Sequence, residues 1–144
     1  MSKPALNNVI LELHVPDFEK VKDFYGKLGF EIVWEREPEG FKGYLVMKMG
    51  KSVLCFWAGN EEVYNHPYFK EFPKNTKRGY GIEILIFVED IEKFYKKVSK
   101  FAKVVEELTL QPWGDKDFRV EDPFGFYLRF SDPYNTLHAD KAIK

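Results

Sequence analysis

Between Val9 and Val15 the chain reads VILELHV, with Val9, Leu11, Leu13 and Val15 on one side of an extended backbone and Ile10, Glu12 and His14 on the other. A period of two with one apolar side predicts a half-buried strand. The period then changes: Phe18, Val21, Phe24, Tyr25 and Leu28 recur at the spacing that places them on one stripe of a helix. Asp17 suits the N-cap, because its carboxylate can accept the orphan N–H groups of the first turn, and Gly29 suits the left-handed residue that ends the helix. Three strand-like runs follow, Glu31 to Arg36, Tyr44 to Met49 and Ser52 to Trp57, with Gly40, Gly43, Gly50 and Lys51 marking the turns. The predicted order is β-α-β-β-β.

The second half repeats it. A strand from Ile82 to Val88, an N-cap at Asp90, a helix carrying Ile91, Phe94, Tyr95, Val98 and Phe101, and strands near Val104 to Leu108, Phe118 to Glu121 and Tyr127 to Phe130 restore the same order. The segment VPDFEKV at Val15 to Val21 returns as VEDIEKF at Val88 to Phe94, an offset of 73 residues at Asp17 and Asp90. A strand end, a cap and an amphipathic first turn would by themselves explain the motif, and even so the duplication predicts two copies of one module. The expected organisation is a single α+β domain, with one module at about 8–57, the other at about 82–133, and a connecting segment at about 58–81. That segment is polar yet rich in aromatics, and loops of its length are often functional.

Composition narrows the partners. At 144 residues and 44% hydrophobic content the chain can bury one continuous core. Twenty-two basic and 23 acidic residues leave a formal net charge of -1, so no global field favours nucleic acid or an anionic membrane, and neither is an expected partner. The longest strongly apolar run, Ile84 to Val88, is too short to span a bilayer. Cys55 has no second cysteine to pair with, and MSKPALNN lacks the apolar stretch of a signal peptide, so the expected location is cytoplasmic.

Three stretches together resemble a known group: VPDFEKVKDFYGKLGF at Val15 to Phe30, the repeat VEDIEKF, and QPWGDKDFRVEDPFGFYLRF at Gln111 to Phe130. From Asn8 to Pro133 the chain resembles the glyoxalase I, bleomycin-resistance and extradiol dioxygenase superfamily, the vicinal oxygen chelate proteins. The pairing of Pro112-Trp113-Gly114 with Phe118 and Asp122-Pro123-Phe124-Gly125 is similar to the bleomycin-resistance branch. The resemblance implies two modules whose curled mixed sheets surround a cleft. In the family's enzymes it also implies a divalent metal held by His or Glu side chains from the first and last strands of both modules. Those places fall here at Ile10, Cys55, Glu83 and Arg129. Ile10 has no donor atom and Arg129 brings a permanent cation, so the expectation is no metal and no cofactor. Arg129 is expected to stand where the metal would, paired with Glu83. An alternative metal set is Glu12, His14 and Glu83, since strand parity puts Glu12 and His14 on the face of Ile10.

Parity extends the candidate ligand cleft to Glu12, His14, Cys55, Trp57, Glu83, Phe87, Tyr127 and Arg129, and the resemblance adds Trp113, an apolar lining with a few charged anchors. Core packing is the other reading of the aromatics, and a small buried hydrophobe is the stronger reading of Cys55. Tyr64, His66, Tyr68, Phe69 and Phe72 either cover the pocket or pack within a compact surface loop, and His66 before Pro67 points to turn chemistry. Three functions follow: a metal-free protein sequestering a small, aromatic or antibiotic-like ligand; a metal-dependent lyase, isomerase or dioxygenase; and a metal-free enzyme with His14 or Glu83 as general base and Arg129 stabilising an oxyanion. Binding a cationic glycopeptide such as bleomycin favours an acidic protein, which this nearly neutral chain is not. The resemblance also implies a homodimer, in which modules are exchanged between subunits in the bleomycin-resistance proteins.

Overall fold

The computed structural model describes residues 7–138, and the chain divides into two compact units, up to Thr76 and from Lys77 onward. Each unit holds one β-α-β-β-β module with the predicted mixed α+β character.

In the first unit β1 (Glu12–Val15), α1 (Phe18–Leu28), β2 (Glu31–Arg36), β3 (Tyr44–Met49) and β4 (Ser52–Ala58) form a four-stranded sheet in the order β1-β4-β3-β2. β1 runs parallel to β4, and the other pairs are antiparallel. Asp17 caps α1 as expected, its carboxylate accepting the N–H groups of Glu19 and Lys20 at 2.9 and 3.2 Å. Gly29 ends the helix at φ 118, a conformation open to glycine and costly for other residues. The helical stripe Phe18, Val21, Phe24, Tyr25 and Leu28 is buried together with Leu13, Val15, Leu45, Met47, Leu54 and Phe56, which covers one face of the sheet. Just before β3 Gly43 is required by contact: Ala58 N–H donates to its carbonyl at 3.1 Å, and a Cβ there would meet the Ala58 oxygen at 2.2 Å.

β1 is shorter than its pattern predicts. Val9 and Ile10 precede the strand and are 85% and 50% exposed. The ladder with β4 begins at Glu12 opposite Cys55, with one further bond from Cys55 N–H to the Leu11 carbonyl, and without a partner strand alternation alone does not hold the earlier residues.

The second unit repeats the plan with β5 (Glu83–Phe87), α2 (Ile91–Val98), β6 (Lys103–Leu110), β7 (Lys116–Glu121) and β8 (Tyr127–Ser131), in the order β5-β8-β7-β6 with β5 parallel to β8. Asp90 caps α2 by accepting Lys93 N–H at 3.3 Å. Ile84, Ile86, Val88, Ile91, Val98, Phe118, Val120, Leu128 and Phe130 form its core, with the Phe94 and Tyr95 rings 4.9 Å from those of Phe130 and Phe118. The predicted turn at Asp122 is built by its own carboxylate, which accepts N–H from Phe124 at 2.9 Å and Phe126 at 2.8 Å, while Gly125 takes φ 100.

The segment at about 58–81 has structure of its own. Ala58 closes β4, and two 3₁₀ turns follow at Glu61–Asn65 and Phe69–Glu71. Asn60 accepts Glu62 N–H at 2.9 Å, donates to the Gly40 carbonyl at 3.1 Å, and so ties the segment to the first unit, where Val63 is buried. Among the described residues no helix is long and apolar enough to cross a membrane.

Candidate functional site

Each sheet has one face under its helix, and the sequence-predicted site residues lie on the opposite faces. In the first unit alternation puts Leu13 and Val15 under α1 and turns Glu12 and His14 the other way. The register then sets Glu12 beside Cys55, His14 beside Trp57, and Tyr44 beside Trp57 from the other side. Tyr44 donates its hydroxyl to Glu12 Oε2 at 2.6 Å and stacks on Trp34 with ring centroids 5.3 Å apart. Burial, then hydrogen bonding with Cys55 and Glu12, pushes the Tyr44 phenol well above its ordinary range. Cys55 is buried, as expected of a small apolar residue.

Further along this face His14 sits in a nest of rings: Trp57 at 4.5 Å, Phe69 at 4.7 Å and His66 at 5.4 Å, with Phe41 stacked on Trp57 at 5.4 Å. His66 Nδ1 accepts the backbone N–H groups of Tyr68 and Phe69 at 3.1 and 3.3 Å, which is turn chemistry. The segment after β4 thus lays His66 and Phe69 over His14 and Trp57. Tyr68 and Phe72 pack on one another at 5.7 Å, and Tyr64 lies under Lys74 Nζ at 4.7 Å.

In the second unit the face opposite α2 carries an ion-pair network. Alternation in β7 buries Phe118 and Val120 under α2 and turns Asp117, Arg119 and Glu121 toward the other face. Arg119 donates from Nε to Glu83 Oε1 at 2.5 Å and from Nη1 to Glu106 Oε2 at 2.9 Å. Arg129 donates from Nε to Asp117 Oδ2 at 2.8 Å. Its Nη2 also lies 2.8 Å from that oxygen, off the hydrogen-bonding direction, and is buried with no acceptor in line among the described residues. Asp117 is 0% exposed; its Oδ1 accepts Gln111 Nε2 at 2.8 Å and faces Arg119 Nη1 at 3.8 Å. The Trp113 ring covers the Arg129 guanidinium at 5.6 Å, a cation–π contact. Burial chiefly pushes the Tyr127 phenol up, the cation of Arg119 opposing and the carboxylates of Glu83, Glu106 and Asp117 adding. Phe87 packs edge-on against Tyr134 at 4.8 Å.

This network corrects one expectation. Glu83 pairs with Arg119 and Arg129 with Asp117, in place of the expected Glu83–Arg129 pair. Register is the reason: Glu83 lies opposite Tyr127, Arg129 lies opposite Leu85 on one side and Arg119 on the other, and Arg119 reaches Glu83 from β7. The pattern along the chain did not single out Tyr44, Phe41, Arg119, Asp117, Glu106 or Gln111. Parity in β3 and β7 would have found Tyr44, Asp117 and Arg119; Gln111 and Phe41 lie in turns, where no period applies.

The residues do not fit the divalent centre implied by the resemblance. Ile10 offers no donor and is half exposed, Cys55 is buried beside Tyr44, Glu83 is committed to Arg119, and Arg129 is a cation bound to a buried carboxylate. The alternative set fares no better, since Glu12 is bonded to Tyr44 and His14 is nested among rings. Among the described residues no group of three or more His, Cys, Asp or Glu is gathered to hold a metal ion.

A model of the glyoxalase/bleomycin resistance protein/dioxygenase superfamily matches residues 8–130, nearly the whole module pair. The chain belongs to that superfamily. No curated protein matches it in sequence. Among solved structures of the fold, the hypothetical protein SA1046 from S. aureus is 24% identical with a TM-score of 0.67, covering 90% of this chain and 96% of that one. TioX from Micromonospora sp. ML1 is 17% identical with a TM-score of 0.64, covering 90% and 98%. A bleomycin-binding protein solved with bleomycin is 21% identical with a TM-score of 0.61, covering 89% and 99%. At such identities the likeness to these structures is one of fold.

Proposed function

We propose that this chain is a small-molecule-binding protein of the superfamily that works without a metal ion and sequesters an aromatic or antibiotic-like ligand. The observation that carries the reading is Arg129. A permanent guanidinium occupies a position that the family's enzymes give to a metal ligand, and it is locked to buried Asp117 under the Trp113 ring. With Glu83 also spent on a second guanidinium, an incoming cation would meet two fixed positive charges and no open carboxylate set. The binding half of the reading is supported by what surrounds these charges. On the first module Trp57, Trp34, Phe41 and Phe69 offer flat apolar surface near Glu12 and His14, and on the second, taken by itself, Trp113 and Tyr127 do so near the ion pairs, each with the make-up of small-molecule sites. A solved relative of the same fold binds bleomycin, while the formal charge of -1 removes the field that would draw so cationic a molecule here. A cytoplasmic homodimer completes the proposal.

The test is a panel of planar aromatic compounds, bleomycin included, titrated calorimetrically into chelator-treated protein. Saturable binding in the presence of EDTA, weakened about fivefold by Trp57→Ala or Trp113→Ala, is expected, aromatic stacking contacts being worth on the order of 1 kcal/mol each. Binding that appears only after a divalent ion is added would reject the reading in favour of a metal-dependent lyase, isomerase or dioxygenase.

A further inference from the structure

The stretch after β4 is anchored at its start by Asn60, which donates to the Gly40 carbonyl, and by buried Val63; beyond Asn65 it lies against the face of the first sheet opposite α1, where its hold is made by rings. His66 is 5.4 Å from His14 and 5.5 Å from Trp57, and Phe69 is 4.7 Å from both His14 and His66. His66 is also what shapes the turn that delivers Phe69. Its Nδ1 accepts N–H from Tyr68 and Phe69, and its carbonyl accepts Lys70 N–H at 2.9 Å. A ring nitrogen accepts only while it is bare. The neutral ring protonated at Nε2 therefore fits this turn, whereas an imidazolium carries an N–H on both nitrogens and sets a third donor against two backbone donors.

We infer that His66 is a proton-operated latch, which holds the 66–72 turn closed over His14 and Trp57 while neutral and releases it when protonated. The groups around the ring act in the same direction. From β1 it faces His14, and two imidazoles at this distance repel once both are charged. From β4 it meets Trp57, and from its own turn Phe69, neither of which titrates in the relevant range. Glu12 and Tyr44, further along the face, are bonded to each other, and within the segment Glu61 pairs with Lys74 and Glu62 accepts from Asn65. Loss of the two capping bonds unfastens Phe69, and with it the cover on the ring nest. Acid would then expose the first module's aromatic face and neutral pH would cover it. The latch bears on access to the surface proposed above, but it is read from two backbone amides without any ligand, so it stands or falls separately.

The experiment is nitrogen-15 NMR of the intact chain from about pH 7.5 down to about pH 5, the interval in which histidine changes charge. At the upper end the His66 ring is expected as the Nε2–H tautomer with Nδ1 bare, and the Tyr68 and Phe69 amides protected from hydrogen exchange. Their protection should disappear in step with His66 protonation. His66→Asn supplies a side-chain oxygen that caps a turn and does not titrate, so both amides should stay protected throughout; in His66→Ala they should be unprotected at every pH. The inference is overturned if the amides remain protected after His66 is charged, if His66→Asn loses protection along the same curve, if the bare nitrogen is Nε2, or if His66 does not titrate in this interval.

Discussion

Asp117 has 0% exposure and stands between two arginines, accepting from Arg129 and facing Arg119, with Gln111 on its second oxygen. A carboxylate so placed is stable only because its charge is met on both sides, and the same holds for the largely buried guanidinium of Arg129, whose side chain is 11% exposed. Removing one member strands the others. Asp117→Ala should cost about 3–5 kcal/mol in urea denaturation, whereas a cost under about 1 kcal/mol would mean that water already reaches the pair. Tyr44 makes a prediction in pH. Burial and its hydrogen bonds with Cys55 and Glu12 raise the phenol above its ordinary value near 10, so the folded chain keeps the proton longer than the unfolded one. A raised value contributes stability that is fully present below about pH 10 and is lost as the unfolded phenol ionises above it. Denaturation midpoints should fall above that pH, and more steeply than in Tyr44→Phe.

At the scale of elements the helices illustrate what local chemistry decides. Both begin at an aspartate whose carboxylate accepts the first turn's N–H groups, two at Asp17 and one at Asp90. Asp17→Ala should lower stability by about 1 kcal/mol, with Asp17→Asn or Asp17→Ser largely restoring it. Caps, helical stripes and strand alternation act over a few residues, which is why the order of elements in both modules, Gly29 and the Asp122 turn are legible in the sequence. Partner choice is not. Glu83 and Arg129 share a face, but which guanidinium meets which carboxylate depends on the register among β5, β8 and β7 and on the reach of Arg119, quantities that no single strand encodes. The ring nest around His14 is half legible for the same reason: parity finds Trp57, while Phe41 arrives from a turn and His66 and Phe69 from the segment after β4, whose packing follows from Asn60 and Val63.

For the whole molecule, membership of the superfamily fixes the plan of two βαβββ modules and leaves chemistry to the side chains on it. In this chain the places where the resemblance implies metal ligands hold an aliphatic residue, a buried thiol, a carboxylate bound to one arginine and a second arginine bound to a buried aspartate. The reading proposed above is that this chain binds its ligand without a metal ion. Calorimetric titration of the chelator-stripped chain with manganese, nickel and zinc ions tests it most directly. The account predicts no saturable site of one ion per chain; one ion bound per chain at micromolar or better affinity, and lost on Glu83→Gln, would contradict it.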